Sequence, residues 1–157
     1  MKQPALGTST DHLQRHSNNA KSRNGRGHFD DILIIEDETF DADRVKATLH
    51  IMFGYDITIR HAASIDRAID CVLDRKPQVV LLDDVLPPNE NAVQTIAFLR
   101  KAGYEGPVII VSDRASRLRS AQLRAVGAVD AIHKDNLDTV RLGEALARAR
   151  AEIEPAG

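Results

Sequence analysis

Cysteine, tryptophan and long apolar runs are what this 157-residue chain has least of, and each shortage removes a class of protein. Cys71 is the one cysteine, so no intramolecular disulfide can form, no Cys-rich metal site can be assembled, and nothing asks for an oxidising compartment. Cys71 itself lies in an apolar helical stretch and reads as a buried small hydrophobe. No apolar run approaches the ~20 residues that span a bilayer, and the N-terminus lacks the apolar block of a signal peptide. Membrane and secretory roles drop out, and a cytoplasmic location is the expectation. No Gly-x-Gly-x-x-Gly or Gly-x-x-x-x-Gly-Lys loop follows the first predicted strand, so nucleotide phosphates would lack their backbone cradle. What remains is 43% apolar and 28% charged, a globular composition at a length that can bury roughly two thirds of the unfolded chain's surface.

A near-balance of 21 basic and 23 acidic residues hides an asymmetry. Residues 1–29 carry Lys2, Arg15, Lys21, Arg23 and Arg26 against Asp11 alone, whereas the remainder holds 16 basic and 22 acidic residues. The first segment is rich in Ser, Thr, Asn, Gln and Gly, with too few apolar side chains to offset the entropy of ordering it. It is read as a mobile basic tail. It has no aromatic residue before Phe29 to stack on bases, which favours a solvated linker over a nucleic-acid contact. Residues 30–157 form the single compact domain.

Within that domain short apolar runs alternate with segments of helical spacing. The runs are Asp31 to Glu36, the more polar Asp56 to Arg60, Gln78 to Asp83, Pro107 to Ser112 and Ala128 to His133. Apolar residues recur at helical intervals over 41–53, 64–74, 91–102, 116–126 and 137–153. Ser64 is suited to cap a helix, and Gly54, Gly103 and Gly127 follow helices where a left-handed residue is useful. Strict alternation of strand and helix requires right-handed crossovers, hence an α/β fold with a doubly wound five-stranded parallel sheet and five helices.

Ligands of such sheets bind at the carboxyl ends of the strands. There the chain places Glu36, Asp37 and Glu38, then Asp83 and Asp84, then Ser112 and Asp113, then His133 and Lys134. Crowded carboxylates repel unless a cation joins them, and a hard oxygen-loving ion fits. Mg²⁺ is the best candidate, being content with one or two carboxylates, waters and a phosphoryl oxygen. With the rim neutralised, a carboxylate such as Asp83 can attack a phosphoryl group while the positive charges stabilise the transferring oxygens.

Four stretches then resemble, in order and spacing, the receiver domain of two-component response regulators. They are Ile32-Leu33-Ile34-Ile35-Glu36-Asp37-Glu38, Val79-Val80-Leu81-Leu82-Asp83-Asp84-Val85-Leu86-Pro87, Pro107-Val108-Ile109-Ile110-Val111-Ser112 and Gly127-Ala128-Val129-Asp130-Ala131-Ile132-His133-Lys134. The resemblance spans about Asp31 to Ile153 and implies a flavodoxin-like strand order of 2-1-3-4-5. It implies Asp83 as phosphoacceptor, and a metal site made by Asp37, Asp83, Glu36 through water and the backbone carbonyl of Val85. Ser112 would donate a hydrogen bond to the phosphoryl group and Lys134 would be its counter-charge. The implied donor is a histidine kinase or phosphotransfer protein, and the implied chemistry is limited to the protein's own phosphorylation and dephosphorylation.

Departures from the family pattern carry expectations of their own. Asn91 stands where a glycine is frequent and suits a left-handed turn. Lys134 is followed by Asp135 instead of proline; a cis bond there would cost ~3 kcal/mol, so the expectation is a trans bond and a differently aimed loop. Asp113 beside Ser112 either repels a phosphodonor or points into water. Ala131 replaces the aromatic residue that family members use as a switch, and His133, on the same strand face, either substitutes for it or is structural. Asp84, Glu38 and Glu90 read as solvated loop charges. Arg114, Arg117, Arg119, Arg124, Arg141, Arg148 and Arg150 read either as a soluble face or as a basic docking surface, on the fourth and fifth helices, for an acidic downstream partner.

The sequence ends at Gly157, soon after the fifth helix, which suggests a stand-alone receiver that signals by altered protein binding or drains a kinase as a phosphate sink. A degenerate receiver acting as a constitutive interaction module is the alternative, and a small phosphate-ester enzyme a distant third. Nothing in the sequence fixes the oligomeric state.

Overall fold

Five parallel strands carry the molecule in the computed structural model, which describes residues 29–88 and 90–154. In chain order the elements are β1 (Asp31–Ile35), α1 (Thr39–Phe53), β2 (Thr58–Ala62), α2 (Ile65–Asp74), β3 (Val79–Leu82), β4 (Val85–Leu86), β5 (Glu90–Asn91), α3 (Ala92–Lys101), β6 (Val108–Ser112), α4 (Arg117–Ala125), β7 (Asp130–His133), a 3₁₀ turn (Lys134–Asn136) and α5 (Thr139–Ile153). The sheet order is β2-β1-β3-β6-β7, which is 2-1-3-4-5 once the small β4–β5 ribbon is set aside. The more polar run forms the edge strand β2, and the basic tail lies outside the described residues.

Strand side chains alternate faces, and the alternation sorts the core into two layers. Ile32, Ile34, Val79, Leu81, Ile109 and Val111 face α1 and α5, where Val45, Leu49, Leu142 and Leu146 meet them. Leu33, Ile35, Val80, Leu82, Val108 and Ile110 face α2, α3 and α4 through Ala68, Val72, Ile96, Leu99 and Leu123. Both faces of every central strand are covered, which is why these strands read as unbroken apolar runs. Ser64 caps α2 through Arg67 N–H, and Gly54, Gly103 and Gly127 take φ of 80°, 99° and 110°.

Several local expectations are corrected. Phe29, assigned to the tail, is buried against the α1–α5 layer with the Arg150 guanidinium 4.3 Å from its ring. Cys71 is half-buried beside the core. Asn91 is not left-handed: at φ −108° and ψ 172° it caps α3, accepting from Gln94 N–H while the Gln94 side chain accepts from Asn91 N–H. That capping box gives Asn91 a different reason to be there. The antiparallel ribbon pairing Val85 with Asn91 and Leu86 with Glu90 had no separate sequence signal.

The arginines of the last helices are also redistributed. Asp130, at the start of β7, is fully buried and accepts from Arg124 of α4 and from Arg141 and Arg148 of α5. Burial alone would raise its carboxyl pKa, but the Arg141 bonds, the Ala131 amide and Arg124 outweigh that and hold it well below the usual range. These arginines are internal ties, neither a plain soluble face nor a wholly free basic surface. A carboxylate with a depressed folded pKa stabilises the fold above its unfolded pKa, and that stability is lost as pH falls through the folded value. Asp130→Asn is expected to cost about 2 kcal/mol in urea denaturation at neutral pH, with the deficit shrinking below about pH 4.

Candidate functional site

Strands β1, β3 and β7 are neighbours or near-neighbours in the sheet, and their carboxyl ends deliver charged groups to one rim. Glu36 and Asp37 follow β1, Asp83 follows β3, and Lys134 follows β7. One carboxylate oxygen from each of Glu36, Asp37 and Asp83 lies within 4.8 Å of the others. The Lys134 ammonium enters the same pocket, 2.8 Å from Glu36 Oε1, 2.8 Å from Asp41 Oδ2 and 3.2 Å from Asp83 Oδ2. The Lys134–Asp135 bond is trans, yet the lysine is buried and aimed at the acids, so the expected re-aiming of this loop does not occur. Arg44 of α1 accounts for part of that aim by donating to the Lys134 carbonyl at 3.2 Å.

Burial and charge both shape the electrostatics: one ammonium contacts three carboxylates, and Asp37 adds a fourth acid to the cluster. Burial pushes the Glu36 carboxyl up to about 7 and the Asp83 charge adds to the rise, while hydrogen bonds from Lys134 and the Glu38 amide oppose it. Burial would lower the Lys134 pKa, but its bonds to Asp41 and Glu36 and the Asp83 charge win, and it stays above its ordinary value. The pocket is short of positive charge. Its donor set is hard carboxylate oxygen, which suits a divalent cation of the Mg²⁺ type.

The other expected residues are placed less directly. Ser112 ends β6, is buried, and its Oγ accepts from Arg114 N–H at 3.1 Å. Because Leu82 pairs with Ile110, Ser112 stands on the same rim, beside the residues after β3. Val85 opens the β4 ribbon two residues beyond Asp83. Asp113 is exposed. The His133 ring nitrogen Nδ1 accepts from Asp135 N–H at 3.1 Å, capping the 3₁₀ turn, which favours its structural reading.

Two features were missed in the sequence. Asp41, in the first turn of α1, holds Lys134; an acid one turn into a helix that begins at the rim was the available signal. Asp84 was read as solvated and is instead 1% exposed, accepting two bonds of 2.7 Å from Arg119 of α4 and one of 3.0 Å from Ala92 N–H of α3. Burial would raise its carboxyl pKa, but Arg119 and the amide reverse this and hold it low.

The ammonium should matter most where Glu36 is ionised. A carboxyl with a raised folded pKa contributes stability below its unfolded value and loses it as pH rises through the folded one. Lys134→Met is therefore expected to cost about 3 kcal/mol near pH 8 in chelator-treated protein and clearly less near pH 5, as read by urea denaturation.

Residues 32–147 match the response regulator receiver domain family. The chain is 31% identical over 132 residues to an uncharacterized transcriptional regulatory protein of Bacillus subtilis, YkoG; the alignment covers 84% of this chain and 53% of that protein, so the chain spans about half the length of this curated relative. It is similar to the solved receiver domain of NtrX from Brucella abortus, with 28% identity and a TM-score of 0.66 over 76% of this chain and 97% of that one. The BeF3-activated N-terminal receiver domain of RstA from Klebsiella pneumoniae gives 25% identity and a TM-score of 0.65, again over 76% and 97%. Among the described residues no helix is long and apolar enough to cross a membrane. With sheet order, rim acids and sequence match in agreement, the chain belongs to the response regulator receiver domain family, whose members are signalling modules and not classical enzymes.

Proposed function

We propose that this chain accepts a phosphoryl group on Asp83 from a histidine kinase or phosphotransfer protein, with Mg²⁺ as cofactor, and signals by changing its binding to another protein. The observation that carries this reading is the convergence of Glu36, Asp37 and Asp83 oxygens within 4.8 Å beside a buried ammonium 3.2 Å from Asp83. Acids and an ammonium gathered at one sheet edge are costly unless chemistry uses them.

Glu36, Asp37 and Asp83 would hold the cation, Glu36 through water, with the Val85 carbonyl as a further ligand. When bound, Mg²⁺ supplies charge neutralisation for the transferring phosphoryl oxygens. An Asp83 oxygen attacks phosphorus as the bond from phosphorus to the donor's leaving atom breaks, and the donor departs with that electron pair. Lys134 stays charged throughout, because its pKa is raised, and pairs with the phosphoryl oxygens. The Ser112 hydroxyl, on the neighbouring strand, donates a hydrogen bond to the transferred group. Asp41, 2.8 Å from the ammonium, holds it in the pocket by a contact independent of Glu36.

The product is an acyl phosphate, and its effect is a shift between two states of the domain by a few kcal/mol. Intact-mass measurement after incubation with acetyl phosphate and Mg²⁺ tests the chemistry. One added phosphoryl group is expected on the wild type, with none on Asp83→Asn and none in chelator. An unmodified wild type, or label surviving in Asp83→Asn, rejects Asp83 as the acceptor.

A further inference from the structure

Helix α4 has few apolar anchors. Leu123 is its one buried residue, and its remaining anchors among the described side chains are two arginine pairs. At its C-terminal end Arg124 reaches Asp130 of β7 at 3.1 Å. At its N-terminal end Arg119 meets Asp84, the residue next to the phosphoacceptor, through two parallel bonds of 2.7 Å. The Arg119 amide also donates to the Ser116 cap at 3.1 Å, so backbone and side chain of one residue are both fixed. Asp84 in turn fixes the start of α3 through Ala92 N–H.

The connection from the other side of the pocket is short. Asp113, Arg114 and Ala115 are all that separate Ser112, at the end of β6, from Ser116, the cap of α4. Only three residues stand between Ser112 and the cap of α4's first turn, and that turn is tied back to the residue after Asp83.

We propose that the Asp84–Arg119 ion pair couples occupancy of the phosphorylation pocket to the placement of α4, with Asp84 and Arg119 as positioning residues for the loop that bears Asp83. This coupling rests on the reading of Asp83 as phosphoacceptor and says how that site is felt elsewhere. The parallel two-bond geometry selects arginine, since a lysine offers a point charge without the fork. A weakly packed helix with few apolar anchors is the kind of element that opens or shifts at low free-energy cost. By thermodynamic reciprocity, whatever moves α4 also changes affinity in the pocket by the same factor.

Hydrogen–deuterium exchange on the full chain, with and without Mg²⁺ plus beryllofluoride as a stand-in for the phosphoryl group, tests the coupling. In the wild type the probe is expected to change exchange over residues 117–125 by about fivefold or more. Arg119→Gln, and independently Asp84→Asn, should lose that response at probe concentrations that saturate each protein, with circular dichroism confirming that each is folded. Arg124→Gln cuts the other tie of α4 without touching the Asp83 loop, and it should keep the response. Binding of the probe is followed separately by fluorine NMR. If the probe binds and α4 responds equally in wild type and Arg119→Gln, or if Arg124→Gln abolishes the response as fully, the coupling is overturned and the receiver chemistry stands. If the probe does not bind the wild type at all, the reading of Asp83 fails and takes the coupling with it.

Discussion

One buried ammonium among four carboxylates is the interaction on which the carboxyl edge of this sheet depends. Lys134 reaches Glu36, Asp41 and Asp83 from a strand end on the far side of β3 and β6, so the pocket exists only when the whole sheet is assembled in order. The single positive charge does not balance the acids, and Glu36 has its carboxyl pushed up to about 7, by burial first and by the Asp83 charge second. That residual negative charge is a property of the fold itself. It is a charge pattern that suits a divalent cation.

Elsewhere the domain handles buried acids by closing them off. Asp130 and Asp84 are each almost inaccessible and each is matched by arginine, three for the former and a two-bond fork for the latter. Asp31 of β1 follows the same pattern with Arg60 and Arg75. Replacing any of these acids leaves partly exposed arginines that water can serve, whereas removing an arginine leaves a buried carboxylate short of partners. The rim pocket is different because four acids share one cation there. The contrast separates acids matched by arginine from acids that share a single ammonium.

The layers of the fold were legible because they depend on local pattern. Runs such as Val79 to Leu82 and Val108 to Val111 are apolar on both faces, and helices with apolar residues at three- and four-residue intervals must lie against them. The rim acids were legible because strand ends are fixed once the strands are. What failed to show was pairing across long sequence separations. Asp84 and Arg119 are 35 positions apart, and Lys134 and Asp41 are 93 apart, so nothing in either neighbourhood announces the partner. Asn91 failed for another reason: the same side chain serves a left-handed turn or a helix cap, and the Gln94 that completes the capping box decides between them.

Ala131 shows how these ties bear on signalling. It is buried in the layer that faces α2, α3 and α4, close to the rim, yet contributes only a methyl group where the family resemblance implies a bulky ring. A methyl has no alternative rotamers, so no side chain at this position can turn inward or outward to report the state of the pocket. His133, two residues on, is engaged with the Asp135 amide and caps its own turn. Under the proposed function, the path from pocket to surface therefore runs through other groups than these two. On α4, anchored by one buried leucine and two arginine pairs, burying that leucine supplies on the order of 2 kcal/mol, comparable to a charged hydrogen-bonded pair. Where apolar and ionic anchors are of similar size, loss or gain of one ion pair is enough to change where the helix rests. Under the proposed function, a phosphoryl group on Asp83 sits beside Asp84, at one end of such a pair.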